Sequence, residues 1–245
     1  NKHKALATYQ RAIELKPNYW AGYKDLGIYY YENSDLESAI GQFKKVVDLT
    51  PKNSNAYSNL GGIYYIDGQL DKAREMFEKA LALGENPAAA NNLANIYYTE
   101  ERYQEAATMY TIALEATPDM YDLWGNLGAA YELSGFVEKA QKAYWKAIEK
   151  AKGMLEVNPN DAEVLADLGA YYADVGDSSN ALQYLKRSVE IGPENIRVQE
   201  RAVFTYESLG MRKEAINWIK NEVILNTVED QPELKALTMD PRFQA

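Results

Sequence analysis

Three asparagines, Asn59, Asn92 and Asn126, recur at steps of 33 and 34 residues. An amide side chain carries both donors and an acceptor, so each can pair with the N–H and the C=O of an extended peptide backbone. Tyr31, Tyr65 and Tyr98 recur at matching steps, each the second tyrosine of an adjacent pair in "GIYYYE", "GIYYID" and "NIYYTE". Tyrosine offers flat, amphipathic contact area at small entropic cost. Chemistry of a catalytic kind is missing. His3 is the single histidine, there is no cysteine, and no triad, metal-ligand spacing or glycine-rich phosphate loop is present. The carboxylate pair Glu100/Glu101 reads as a solvated turn. No enzyme activity, metal or cofactor is expected.

The bulk composition agrees with a binding role. Twenty tyrosines stand against five phenylalanines, and tyrosine suits surfaces that are part apolar and part wet. The formal net charge is -10, which disfavours nucleic acid, because affinity for phosphates comes from lysine and arginine. No apolar run is long enough to span a bilayer, so direct membrane insertion is not expected. The absence of cysteine rules out disulfides and thiolate sites without fixing a compartment. The opening "NKHKALATYQ" has no apolar core and no initiating methionine, and reads as the start of an excised fragment.

Adjacent residues on a helix point about 100° apart, so two neighbouring tyrosines cannot serve one buried face. A self-comparison of the chain separates their roles. Leu26/Gly27, Leu60/Gly61, Leu93/Ala94, Leu127/Gly128 and Leu168/Gly169 are followed by Tyr30, Tyr64, Tyr97, Tyr131 and Tyr172, then by Ala39, Ala73, Ala106, Ala140 and Ala181. From Tyr30 to Tyr206 the steps are 34, 33, 34, 41 and 34 residues. Gly68, Gly135, Gly176 and Gly210 fall where a left-handed turn residue is wanted. Pro51, Pro118 and Pro193 stop the second helix.

This pattern resembles the tetratricopeptide repeat family. The resemblance covers roughly residues 1–222: a half repeat at 1–19, then repeats from about 20, 54, 87, 121, 162 and 196. Residues 223–245, with Pro232, Leu234 and Leu237, read as a C-terminal cap. The resemblance implies an all-α, right-handed superhelical solenoid of helix-turn-helix repeats. Small residues let helices approach, and the first, or A, helices line a concave groove. Counted from Trp20, Ser54, Pro87, Tyr121, Ala162 and Ile196, the tyrosines at position eleven are core, with positions four, seven and eight. Positions two, five, six, nine, twelve and thirteen then face the groove.

On that scheme Tyr31, Tyr65 and Tyr98 occupy position twelve, and Asn59, Asn92 and Asn126 occupy position six. The three amides are similar to the asparagine ladder of the O-linked N-acetylglucosamine transferase superhelix. Asp25, Asp167 and Arg201 depart from it at the same position, and the tyrosine ladder ends at Glu132, Ala173 and Glu207. Packing within the chain is the competing role for both sets. Lys24 with Asn59 fits part of the carboxylate clamp of chaperone-tail receptors, but Ile28, Ala88 and Asn92 break it. Arg197 and Arg201 lie one turn apart and can hold a single carboxylate, or be ion-paired or solvated. Glu32, Asp122, Glu132, Glu163 and Asp174 favour a ligand with some positive charge.

The step of 41 adds seven residues, close to two helical turns. The second helix of that unit can therefore lengthen without rotating its stripe of Ala140, Tyr144, Ala147, Ala151 and Leu155. The function expected is a non-enzymatic scaffold that binds an extended peptide segment of a partner protein. The alternative is a regulatory or self-assembly module of a larger bacterial kinase, cyclase or transcription regulator. It would act through stacked solenoid ends as a homo-oligomer, and the ending "LTMDPRFQA" resembles such proteins.

Overall fold

The computed structural model describes residues 2–219 and 223–226 and the single positions Leu234, Leu237 and Met239. Among the described residues there is no strand. A lone helix, α1 (Lys2–Leu15), precedes six helical hairpins: α2 (Trp20–Glu32) with α3 (Leu36–Leu49), α4 (Ser54–Ile66) with α5 (Leu70–Leu83), and α6 (Pro87–Thr99) with α7 (Tyr103–Ala116). Then come α8 (Tyr121–Leu133) with α9 (Val137–Val157), α10 (Ala162–Asp174) with α11 (Ser178–Ile191), and α12 (Ile196–Ser208) with α13 (Arg212–Asn217). The chain divides into two compact units, Asn1–Ile96 and Tyr97–Ala245.

Each A helix ends by the same device. The carbonyl of the position-eleven tyrosine accepts the backbone N–H five residues on, in Asp35 to Tyr30 (2.9 Å), Gln69 to Tyr64 (2.9 Å) and the four later units from Tyr97 to Tyr206 (2.8 Å each). The residue before that donor takes a positive φ, from 71° to 82° at Gly68, Gly135, Gly176 and Gly210, and 61° at Ser34 and Glu101. This is the Schellman arrangement, which satisfies carbonyls that the helix end would otherwise orphan. Asp35 and Asp177 then cap the next helix, accepting from the N–H of Ser38 and Asn180 at 3.1 Å each.

Small residues bring the two helices of a hairpin together. A Cβ on Gly61 would lie 2.7 Å from the Phe77 ring, and one on Gly128 would lie 2.6 Å from the Tyr144 ring. The B-helix alanines Ala39, Ala73, Ala106, Ala140, Ala181 and Ala215 are buried. Of the position-eleven tyrosines, Tyr64, Tyr97 and Tyr172 are buried, while Tyr30, Tyr131 and Tyr206 are half-buried. Helix α9 runs for 21 residues, with Ala140, Tyr144, Ala147 and Ala151 of its stripe buried and Leu155, in the extra turns, half-buried. At the end of the second unit Leu234 and Leu237 are buried with Val203, Ala215 and Ile224. Pro232 lies outside the described residues.

Candidate peptide-binding face

In the first unit α4 and α6 leave their position-six amides uncommitted, whereas Asp25 on α2 is ion-paired to Lys24. Asn59 is exposed and Asn92 half-buried, and among the described residues neither bonds within the chain. The position-two amide, Asn55, is used differently, as an acceptor for the residue that precedes the next A helix. Asn86 caps α6 by accepting from the Ala89 N–H (2.9 Å), and its Nδ2 donates to Asn55 Oδ1 (3.1 Å) and Ser54 Oγ (2.9 Å). Position two thus ties one A helix to the next, and position six stays available. Apolar surface flanks it, since Ile28, Tyr31 (42% exposed) and Ile66 are open to solvent and Tyr65 is half-buried. Lys24 Nζ lies 3.3 Å from Asp25 Oδ1 and over the Trp20 ring. Sequence reasoning passed over Asn91, at position five, whose Oδ1 is buried with no hydrogen-bond partner among the described residues.

In the second unit the same face is part open and part closed. Asn126 is half-buried and, among the described residues, makes no hydrogen bond within the chain. Tyr98 packs edge-on against Tyr103, with ring centroids 5.4 Å apart. Glu132, which replaces the ladder tyrosine on α8, accepts from the Tyr144 hydroxyl at 2.7 Å. Burial, with the charges of Asp174 and Glu132 nearby, pushes the Tyr144 hydroxyl well above its usual range. On α10 the face is shut, with Ala166, Asp167, Ala170 and Ala173 all buried.

Asp167 explains part of that closure. It is 0% exposed and accepts from Arg201 Nε at 2.5 Å, from Arg197 at 2.9 Å and from the Tyr121 hydroxyl at 3.0 Å. The single carboxylate that Arg197 and Arg201 hold is therefore the chain's own. Burial and the adjacent Asp167 carboxylate raise the Tyr121 hydroxyl above its usual range. The Tyr171 hydroxyl, buried against Gly125, is raised for the same two reasons and has no hydrogen-bond partner among the described residues. Asn195 repeats the role of Asn86: it caps α12, and its Nδ2 donates to Glu163 Oε1 at 2.9 Å. The opposite charges of Asp167 and Arg201, 34 residues apart at one repeat position, were the signal for this lock.

Among the described residues no group of three or more His, Asp or Glu side chains is placed to hold a metal ion, and no helix is long and apolar enough to cross a membrane. The side chain of His3 lies outside the described part. What remains is a helical-hairpin repeat whose A helices present amides and tyrosines, a class of protein that works as an interaction scaffold. The chain belongs to the tetratricopeptide repeat family, whose profiles match residues 29–68, 53–118 and 119–194.

A peroxisomal targeting signal receptor of Kluyveromyces lactis is 28% identical over 93 residues, 38% of this chain and 16% of the receptor. The chain thus matches only a small part of that relative. Among solved structures, YrrB, described as a TPR protein with an unusual peptide-binding site, is 22% identical with a TM-score of 0.56, covering 78% of this chain and 95% of YrrB. BtubC from P. vanneervenii is 21% identical with a TM-score of 0.62, covering 78% of this chain and 88% of that one. These likenesses concern the fold.

Proposed function

We propose that the protein is a non-enzymatic scaffold that holds an extended segment of a partner protein on this face of its A helices. The observation that carries the reading is the pairing of uncommitted position-six amides with exposed apolar side chains, above all Asn59 beside Tyr65 and Ile66 on α4. The amides would bond the main chain of the segment, and Tyr31, Tyr65 and Tyr98 would contact its side chains. The candidate residues are Lys24, Tyr31, Asn59, Tyr65 and Asn92 in the first unit, and, taken by itself, Tyr98 and Asn126 in the second. Arg197 is 43% exposed beyond its bond to Asp167 and can still meet a ligand carboxylate. Arg201, 25% exposed, serves the lock on Asp167 first. A peptide-binding site is also ascribed to the structurally similar YrrB.

The test replaces Asn59, Asn92 and Asn126 together with alanine and compares captured partners by mass spectrometry beside thermal melts. Loss of a specific protein with an unchanged melting temperature is the expected result. Unchanged capture, or a collapse in stability with binding retained, would show that the amides serve packing.

A further inference from the structure

On the side of α8 turned away from Asn126, the second unit opens a cleft of about 490 Å³. Its floor is apolar: Trp124, Leu127 and Tyr131 from one face of α8, with Leu114 from α7. The Trp124 indole is already satisfied, donating from Nε1 to the Pro118 carbonyl at 2.9 Å. Along one wall stand Lys139, Lys142 and Lys146, spaced i, i+3 and i+7 on α9 and so on a single helix face. Alanines beside them, Ala140, Ala143 and Ala147, are buried and draw α9 close enough for the lysine stems to overhang the floor. Glu115 is the one carboxylate of the lining.

Among the described residues the rim is only partly neutralised. Lys139 Nζ sits over the rings of Phe136 and Tyr131, at 4.9 and 5.3 Å from their centroids. Among the described residues Lys142 has no ion-pair partner. Lys146 is the one lysine of the three that makes an ion pair among the described residues, with Glu149 at 2.8 Å. A basic rim above an apolar floor stands out on a chain of net charge -10. We infer that this cleft docks an acidic amphipathic segment of a partner protein, with an apolar or aromatic side chain on Trp124, Leu127 and Tyr131 and its carboxylates against Lys139 and Lys142. The floor supplies area-driven affinity and the lysines supply charge selectivity, their stems adding further apolar cover. This site uses positions four, seven and eleven of α8, so it stands apart from the asparagine face and does not rest on it.

The probe is a fluorescently labelled synthetic peptide carrying Trp and Leu between runs of Glu, with a counterpart in which Lys replaces Glu, read by anisotropy at low and high salt. The protein should bind the acidic peptide saturably, more weakly as salt rises, and should ignore the basic one. Lys139→Glu/Lys142→Glu should weaken binding at least about tenfold, with Lys142→Gln giving a smaller loss as a variant that does not crowd Glu115. The Asn59→Ala/Asn92→Ala/Asn126→Ala variant should bind like the parent, which separates this site from the asparagine face. Absence of saturable binding, equal affinity for the basic peptide, or indifference to the lysine changes overturns the inference. So does sedimentation showing a dimer that the lysine variant disperses, which would assign the cleft to a second copy of the chain.

Discussion

Asp167 gathers hydrogen bonds from Tyr121 on α8 and from Arg197 and Arg201 on α12, so one side chain fastens three A helices. Removing it leaves a guanidinium that is only a quarter exposed without its counter-charge, and breaking a buried pair costs more than the pair contributes. Asp167→Ala should lower stability by about 2–3 kcal/mol, discounted from the fully buried case for that exposure. Arg197→Ala leaves Asp167 bonded to Arg201 and Tyr121, and should cost under about 1 kcal/mol. Urea-unfolding midpoints of the two variants test this, and equal losses would refute the ranking. The charges at position six were legible as a departure from asparagine. Tyr121 as third partner was not, because position one lies outside both the core stripe and the groove set, and its role depends on how neighbouring hairpins lie.

At the scale of helices, two adjacent glycines on α4 should respond in opposite ways. A Cβ on Gly61 meets the Phe77 ring at 2.7 Å, whereas one on Gly62 meets nothing within 4 Å. Gly61→Ala overpacks the α4–α5 contact and should destabilise by about 1–3 kcal/mol. Gly62→Ala restricts only the unfolded chain and should stabilise by about 0.5–1 kcal/mol. Thermal melts of both decide the matter, and a shared sign would overturn the packing account. Ser34, at φ 61° where other units have glycine, gives a parallel case: Ser34→Gly should gain about 1 kcal/mol by removing left-handed strain. The period, the turn residues and the lengthening of α9 were readable because they depend on local spacing. The closure of α10 was not. Its second face is covered through packing on α12 as well as α9 and α11, and the sequence offered only the small residues Ala166, Ala170 and Ala173 as a hint.

Across the whole molecule the tyrosines, so numerous in this chain, divide by what burial does to their hydroxyls. Tyr144 and Tyr171 are buried, and desolvation together with nearby carboxylates holds both above the ordinary tyrosine range. Their unfolded counterparts ionise near pH 10. Below that pH both states keep the protons, and the contribution to stability is fully present. Above it the unfolded chain releases protons that the folded chain retains, so stability falls as pH rises, by about 1.4 kcal/mol per pH unit for each such group. Absorbance titration should show these two hydroxyls, and Tyr121 in part, still protonated above pH 10 until the protein unfolds. The decisive comparison is Tyr144→Phe. That variant loses the bond to Glu132 and is less stable at neutral pH, yet between pH 10 and 11 its stability should fall by about 1 kcal/mol less than the parent's. A parallel decline in the two proteins would mean that Tyr144 ionises freely in the folded state, and that its place between α8 and α10 is open to water.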